Sequence, residues 1–258
     1  MSGRRKLVSG NWKMHHTHLE AIAVVQKLAY ALDDGVTDRV DVSLHPPFTA
    51  LRSVQTVLES DKVPIALGAQ DVHWEGKGAF TGEISPPMLA KLNVRYVIVG
   101  HSERRAHFGE TDEIVNKKVR AVVGAGMTPV VCVGEDLEAR DAGATEDLVV
   151  GQLLAALAGV DPTVLAGCVV AYEPLWAIGS GRSATPDDAQ SVAAALRAAV
   201  TADHGAAAGQ GMRVQYGGSV SPDNVAELVA GPDVDGVLVG GASLDADTFA
   251  RLIAAAAR

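Results

Sequence analysis

Three side chains of types that handle protons and anions stand just past short apolar runs in this 258-residue chain: Lys13, His101 and Glu173. They occur in Asn11-Trp12-Lys13, in Gly100-His101-Ser102-Glu103-Arg104-Arg105 and in Tyr172-Glu173-Pro174-Leu175-Trp176. Singly, each has an ordinary reading: Lys13 and Glu103 as a surface ion pair, His101 as a loop histidine, Glu173 as a solvated strand end. Together on one face they form an acid–base set beside a cation, the combination from which an active site is built. Two later runs end in glycine pairs, Gly217-Gly218-Ser219 and Gly240-Gly241-Ala242-Ser243. Glycine lets the backbone approach a ligand closely. No basic cluster adjoins these pairs, so the reading is an anion held by backbone N–H groups, which points to a small phosphate ester.

The elements that must position these residues are legible as eight apolar or β-branched runs: 6–9, 40–44, 63–69, 94–99, 128–133, 168–171, 212–216 and 236–239. Between them lie segments with apolar residues three and four apart, such as Leu19-Ile22-Ala23-Gln26-Leu28 and Ala189-Val192-Ala193-Leu196-Val200. Strand–helix alternation with near-continuous apolar strands predicts a parallel sheet buried on both faces. Eight such units match a closed (β/α)8 barrel better than a doubly wound open sheet, and no linker divides the chain, so residues 1–258 are read as one domain. In such a barrel the ligand site lies at the C-terminal ends of the strands, where Lys13, His101 and Glu173 stand. Ser85-Pro86, Thr185-Pro186 and Ser221-Pro222 each read as a hydroxyl N-cap followed by proline in the first helical turn.

The connection after the sixth run, through Gly179-Ser180-Gly181-Arg182-Ser183, is long for a strand–helix loop and is read as a lid. Its letters match a G-x-G-x-x-A fingerprint, but that motif must leave a strand directly and open a helix, and this one does neither. No Gly-rich loop ending in Lys-Ser or Lys-Thr exists, which excludes a P-loop. His15, His16 and His18 lack the further ligands of a tetrahedral metal set and read as a solvated helix start. With 22 Lys plus Arg against 31 Asp plus Glu, the net charge of −9 argues against nucleic acid as a partner. The longest uncharged stretch, 121–134, is about 14 residues, short of a bilayer span. Cys132 and Cys168 lie in apolar runs and read as core thiols; with no secretory leader at the N-terminus, the expected compartment is the cytoplasm.

Six stretches carry a resemblance. Gly10-Asn11-Trp12-Lys13-Met14, Gly78-Ala79-Phe80-Thr81-Gly82-Glu83, the His101 stretch, Ala171 through Gly179, Tyr216-Gly217-Gly218-Ser219-Val220 and Leu238 through Leu244 appear in this order across the whole chain. In them the sequence resembles the triose-phosphate isomerase family. The resemblance implies interconversion of dihydroxyacetone phosphate and D-glyceraldehyde 3-phosphate through an enediolate, in glycolysis and gluconeogenesis, with no metal and no cofactor. It implies Glu173 as the base and His101 as a neutral electrophile. Lys13 and Asn11 would serve the phosphate and the developing oxyanion, with Glu103 orienting Lys13. Gly179, Ser219, Gly240 and Gly241 would hold the phosphate, and Ile178 and Leu238 would cover Glu173. It also implies a homodimer through the loop 70–83. The family commonly has Val, Thr and Asn where Leu175, Ser180 and Asp71 stand, so the lid and the dimer contacts are where this chain would differ. Two other readings remain: a barrel that binds a sugar phosphate without turnover, and another phosphate-handling barrel, which would leave His101, Glu103 and the lid unexplained together.

Overall fold

The computed structural model describes residues 3–177 and 184–258. Its eight strands are β1 (Leu7–Asn11), β2 (Asp41–His45), β3 (Ala66–Ala69), β4 (Tyr96–Val99), β5 (Thr128–Val133), β6 (Val169–Tyr172), β7 (Arg213–Tyr216) and β8 (Gly236–Val239). All are parallel, each pairs with the next, and β8 closes on β1 with Leu7 opposite Gly236 and Gly10 opposite Val239. The sequence expectation of a closed eight-stranded α/β barrel is met.

Two strands are shorter than their apolar runs. The Val63 amide still bonds back to the Leu58 carbonyl at the end of the helix Phe48–Ser60, so pairing of β3 begins at Ala66 opposite Ser43. The Val94 amide likewise bonds to Leu89, and β4 begins at Tyr96. Two of the three expected hydroxyl caps also differ. Thr185 caps Pro186–His204 with a reciprocal Thr185–Asp188 box, an arrangement that stabilises a helix by about 1 kcal/mol. Ser85 precedes Pro86–Ala90 without a side-chain bond. Ser221 caps nothing: the Asn224 carboxamide oxygen takes the Ser221 amide at 2.8 Å, the chain turns through Pro222, and the helix is the single turn Val225–Leu228. The histidines read as a solvated helix start do stand where the helix His18–Ala31 begins, capped by Thr17, and His15 and His18 are exposed; His16 instead lies edge-on against Trp12 with ring centroids 5.0 Å apart.

Strand alternation divides the core into two layers. Leu7, Tyr96, Ile98, Val130, Cys132, Val169, Ala171 and Leu238 fill the barrel interior. Their neighbours Val8, Val42, Val97, Val131, Val170, Val214 and Val237 face outward against the helices. Both cysteines are buried, as expected. The interior also holds a polar chain: the Gln215 carboxamide donates to Ser9 Oγ at 2.8 Å, the Ser9 and Ser43 hydroxyls lie 2.9 Å apart, and Ser43 Oγ lies 3.1 Å from His45 Nε2. The His45 ring is fully buried against the Gly68 backbone, where a Cβ would fall 2.3 Å from the imidazole. This packing brings the ends of β1, β2 and β3 together beneath the site. Among the described residues, no helix is long and apolar enough to cross a membrane.

Candidate active site

β1 ends at Asn11, and the next two residues leave the sheet in a fixed way. The Trp12 amide donates to the His45 carbonyl at 3.2 Å. Lys13 adopts a left-handed backbone with φ of 52°, unusual for a residue with a Cβ. Its amide donates to the Asn11 side-chain oxygen at 3.0 Å, and its ammonium lies 2.5 Å from Glu103 Oε1.

β4 leads through Gly100, itself at φ of 68°, to His101, which caps the helix Ser102–Phe108. His101 Nδ1 accepts the Glu103 amide N–H at 3.3 Å. The ring proton therefore belongs on Nε2, which donates to Glu173 Oε1 at 2.9 Å. The other oxygen of Glu173 accepts the Ser102 amide at 3.0 Å, so both carboxylate oxygens are engaged. Glu173 is 2% exposed and leaves β6 with its amide bonded to the Val133 carbonyl. Burial alone raises its pKa, yet the His101 ring, the Ser102 amide and Lys13 outweigh burial and hold it below the usual carboxylate range. For His101 burial favours the neutral ring, and the carboxylates of Glu173 and Glu103 raise its pKa in this arrangement. The Glu103 amide opposes that rise, because a protonated Nδ1 would face an N–H group at the positive end of a helix.

These groups line a cavity of about 320 Å³ together with Gly217, Gly218, Ser219, Leu238, Gly240 and Gly241. The size suits a small molecule. Among the described residues, Lys13 is the only lysine or arginine on its wall, beside the carboxylates of Glu103 and Glu173. At Gly218 a Cβ would fall 2.1 Å from the Tyr216 hydroxyl, so a side chain is excluded there. At Gly241 the space is open and a small side chain would fit.

The sequence-derived residues Asn11, Lys13, His101, Glu103, Glu173, Ser219, Gly240 and Gly241 thus share one cavity. Gly179 and Ile178, with the remainder of the lid to Ser183, lie outside the described residues. Asp71 is buried at 4% exposure, bonded to Lys118 at 2.6 Å and to Arg104 at 2.9 Å. Among the described residues no group of three or more His, Cys, Asp or Glu side chains is placed to hold a metal ion.

Three participants were not read from the sequence. The Ser102 amide is a backbone donor and leaves no mark in residue type. Gln70 donates to the Lys13 and His45 carbonyls at 2.7 and 2.8 Å. Glu135, fully buried, accepts the Tyr172 hydroxyl at 2.9 Å and the Trp176 indole N–H at 2.7 Å, tying the end of β5 to the segment that follows β6. An acidic residue two positions past an apolar strand was the available signal for Glu135.

Comparison with known proteins agrees with this geometry. A family model described as triosephosphate isomerase matches residues 6–256. Proteins named triosephosphate isomerase from Corynebacterium efficiens and Saccharopolyspora erythraea are each 54% identical over 254 residues, covering 98% of this chain and 97% of theirs. One from Herpetosiphon aurantiacus is 53% identical over 250 residues, covering 97% of this chain and 98% of its own. Barrels of this architecture serve many chemistries, so the fold alone decides little; with the Lys13–His101–Glu173 cavity and matches along nearly the whole length, the chain belongs to the triosephosphate isomerase family.

Proposed function

We propose that this chain binds a triose phosphate in the cavity of Lys13, His101 and Glu173 and moves a proton between two of its carbons. The reaction is the family's interconversion of dihydroxyacetone phosphate and D-glyceraldehyde 3-phosphate, an isomerisation of glycolysis and gluconeogenesis. The observation that carries the reading is the contact of Glu173 Oε1 with His101 Nε2 at 2.9 Å, a base and a proton donor side by side in one closed-in site.

Glu173 removes the proton next to the carbonyl and returns it to the neighbouring carbon. Both its oxygens are engaged by protein groups, so to reach a substrate carbon it must release His101 and Ser102. Release removes the counter-charges that depress its pKa and leaves burial, which raises it; the carboxylate becomes a stronger base as it meets the substrate. Release also frees Nε2–H of His101 to donate to the substrate oxygens. A neutral imidazole is the established electrophile of this family. In this chain burial and the Glu103 amide both favour that form once Glu173 has moved. Lys13, oriented by Glu103 and Asn11, supplies positive charge to the phosphate and to the enediolate oxygen. Ser219, Gly240, Gly241 and Gly179 hold the phosphate, and Leu238 with Ile178 covers the base. The scheme calls on no metal or cofactor.

The chain works as a homodimer through the loop 70–83, in the cytoplasm and as one domain. Supporting the dimer, residues 75–83 stand exposed on the surface. A second cavity of about 280 Å³ beside Lys13 is lined by Met14, Phe48 and Phe108, with Met14 95% exposed, and would take such a loop from a second copy. The test of function is a coupled assay on purified protein, with glyceraldehyde 3-phosphate as substrate and NADH-linked reduction of the product. Fast turnover that is lost in Glu173→Gln is expected. A folded dimer that binds phosphate but does not turn over would mean a binding protein instead.

A further inference from the structure

We infer that Gln70 is a positioning residue for Lys13, holding the ammonium in place by clamping a strained peptide. The inference rests on the role proposed for Lys13. A left-handed backbone at a residue with a Cβ costs about 1 kcal/mol or more and persists only where its surroundings over-determine it. At Lys13 both peptide groups are held. Its amide is fixed by Asn11, and its carbonyl accepts the Gln70 carboxamide at 2.7 Å.

The second hydrogen of that carboxamide goes to the His45 carbonyl at 2.8 Å, which also accepts the Trp12 amide. One planar NH2 group from the end of β3 therefore bridges the ends of β1 and β2. Its acceptor is itself immobile, because the buried His45 ring donates from Nδ1 to the carbonyl of Ala69, the residue before Gln70, at 3.0 Å. The result is a closed ring of contacts through Ala69, Gln70 and His45 from which the Lys13 peptide hangs. Further along, the Lys13 side chain passes so close to Gly240 that a Cβ there would meet Cε at 3.3 Å before the ammonium reaches Glu103. Without Gln70 nothing engages the Lys13 carbonyl among the described residues, the backbone relaxes, and the charge leaves its place over the cavity.

The experiment compares Gln70→Met, which keeps the shape and removes the donors, with Gln70→Ala, Lys13→Met and, as packing control, Val54→Ala at a fully buried position of the helix Phe48–Ser60. Each is assayed for kcat and KM and for competitive inhibition by inorganic phosphate, with Tm recorded. Gln70→Met should lose about 10²-fold in kcat, as an ångström-scale displacement of a catalytic group does. It should bind phosphate about tenfold more weakly, the loss of one charge-assisted hydrogen bond. Val54→Ala should lower Tm and leave phosphate affinity unchanged. Folded Gln70 variants that bind phosphate within about twofold of the parent, while Lys13→Met does not, would overturn the inference and leave the role of Lys13 standing. Unchanged phosphate affinity in Lys13→Met would overturn both.

Discussion

Acid should unfold this protein partly through one histidine that takes no part in catalysis. His45 is fully buried, its Nδ1–H donates to the Ala69 carbonyl, and burial pushes its pKa from 6.5 down to about 4. The native state holds the ring neutral while the unfolded chain takes up a proton, so this stability is complete above pH 6.5 and is lost as pH falls towards 4. A fall from 6.5 to about 4 corresponds to about 3 kcal/mol in full, most of which, about 2 kcal/mol, is lost between pH 7 and pH 4.5. Carboxylates titrate over the same range, so the quantity to measure is a difference. Urea unfolding of the parent and of His45→Leu, at pH 7 and pH 4.5 and at one protein concentration, isolates it. The variant loses hydrogen bonds at both pH values, and that cost cancels. The parent should lose about 2 kcal/mol more than the variant on acidification. Equal losses would refute the reasoning and place the acid sensitivity in the carboxylates.

Three further outcomes are expected. Glu173→Asp should retain KM within a few-fold and lose about 10²-fold in kcat, because the base is drawn back by roughly an ångström; turnover near that of the parent in the coupled assay would remove Glu173 from its role. Lys118→Met should destabilise by about 3–5 kcal/mol in denaturant titration, since it strips the buried cation from Asp71 and Glu110, whereas an exposed pair such as Lys27–Asp247 should give a far smaller effect. Gly68→Ala should cost about 2 kcal/mol or more through its clash with the His45 ring, and pairing it with His45→Ser should recover part of that loss, a coupling read from a double-mutant cycle.

Asp71 shows what a family pattern leaves out. Set against the common Asn, it invited a reading in terms of dimer contacts. In the structure it is a buried member of a group with Lys118, Arg104 and Glu110, and burial is the largest influence on its carboxyl, raising its pKa. Arg104 follows Glu103 in the helix that His101 caps. The group therefore braces that helix against the segment after β3, an intramolecular duty that residue type alone does not reveal.

Local chemistry determined much of this protein from its sequence. Apolar runs of strand length, alternating with segments of helical period, specify a parallel sheet covered on both faces, because each element must bury its apolar face against the other. Eight of them close on themselves, and strand ends then mark the site. Lys13, His101 and Glu173 were legible because polar residues at such ends have no packing reason to be there. What the tertiary structure decided is everything that depends on angles and distances between strands far apart in sequence. The starts of β3 and β4 are set by amides that bond back to preceding helices. The tautomer of His101 is set by an amide two residues on, and the hold on the two Glu173 oxygens by the His101 ring and the Ser102 amide, the latter 71 positions away. Gln70 looks like any polar residue after a strand until β1 and β2 bring two carbonyls to its one NH2 group. Such contacts carry no periodicity and no preferred residue type, which is why they exist only in the folded chain.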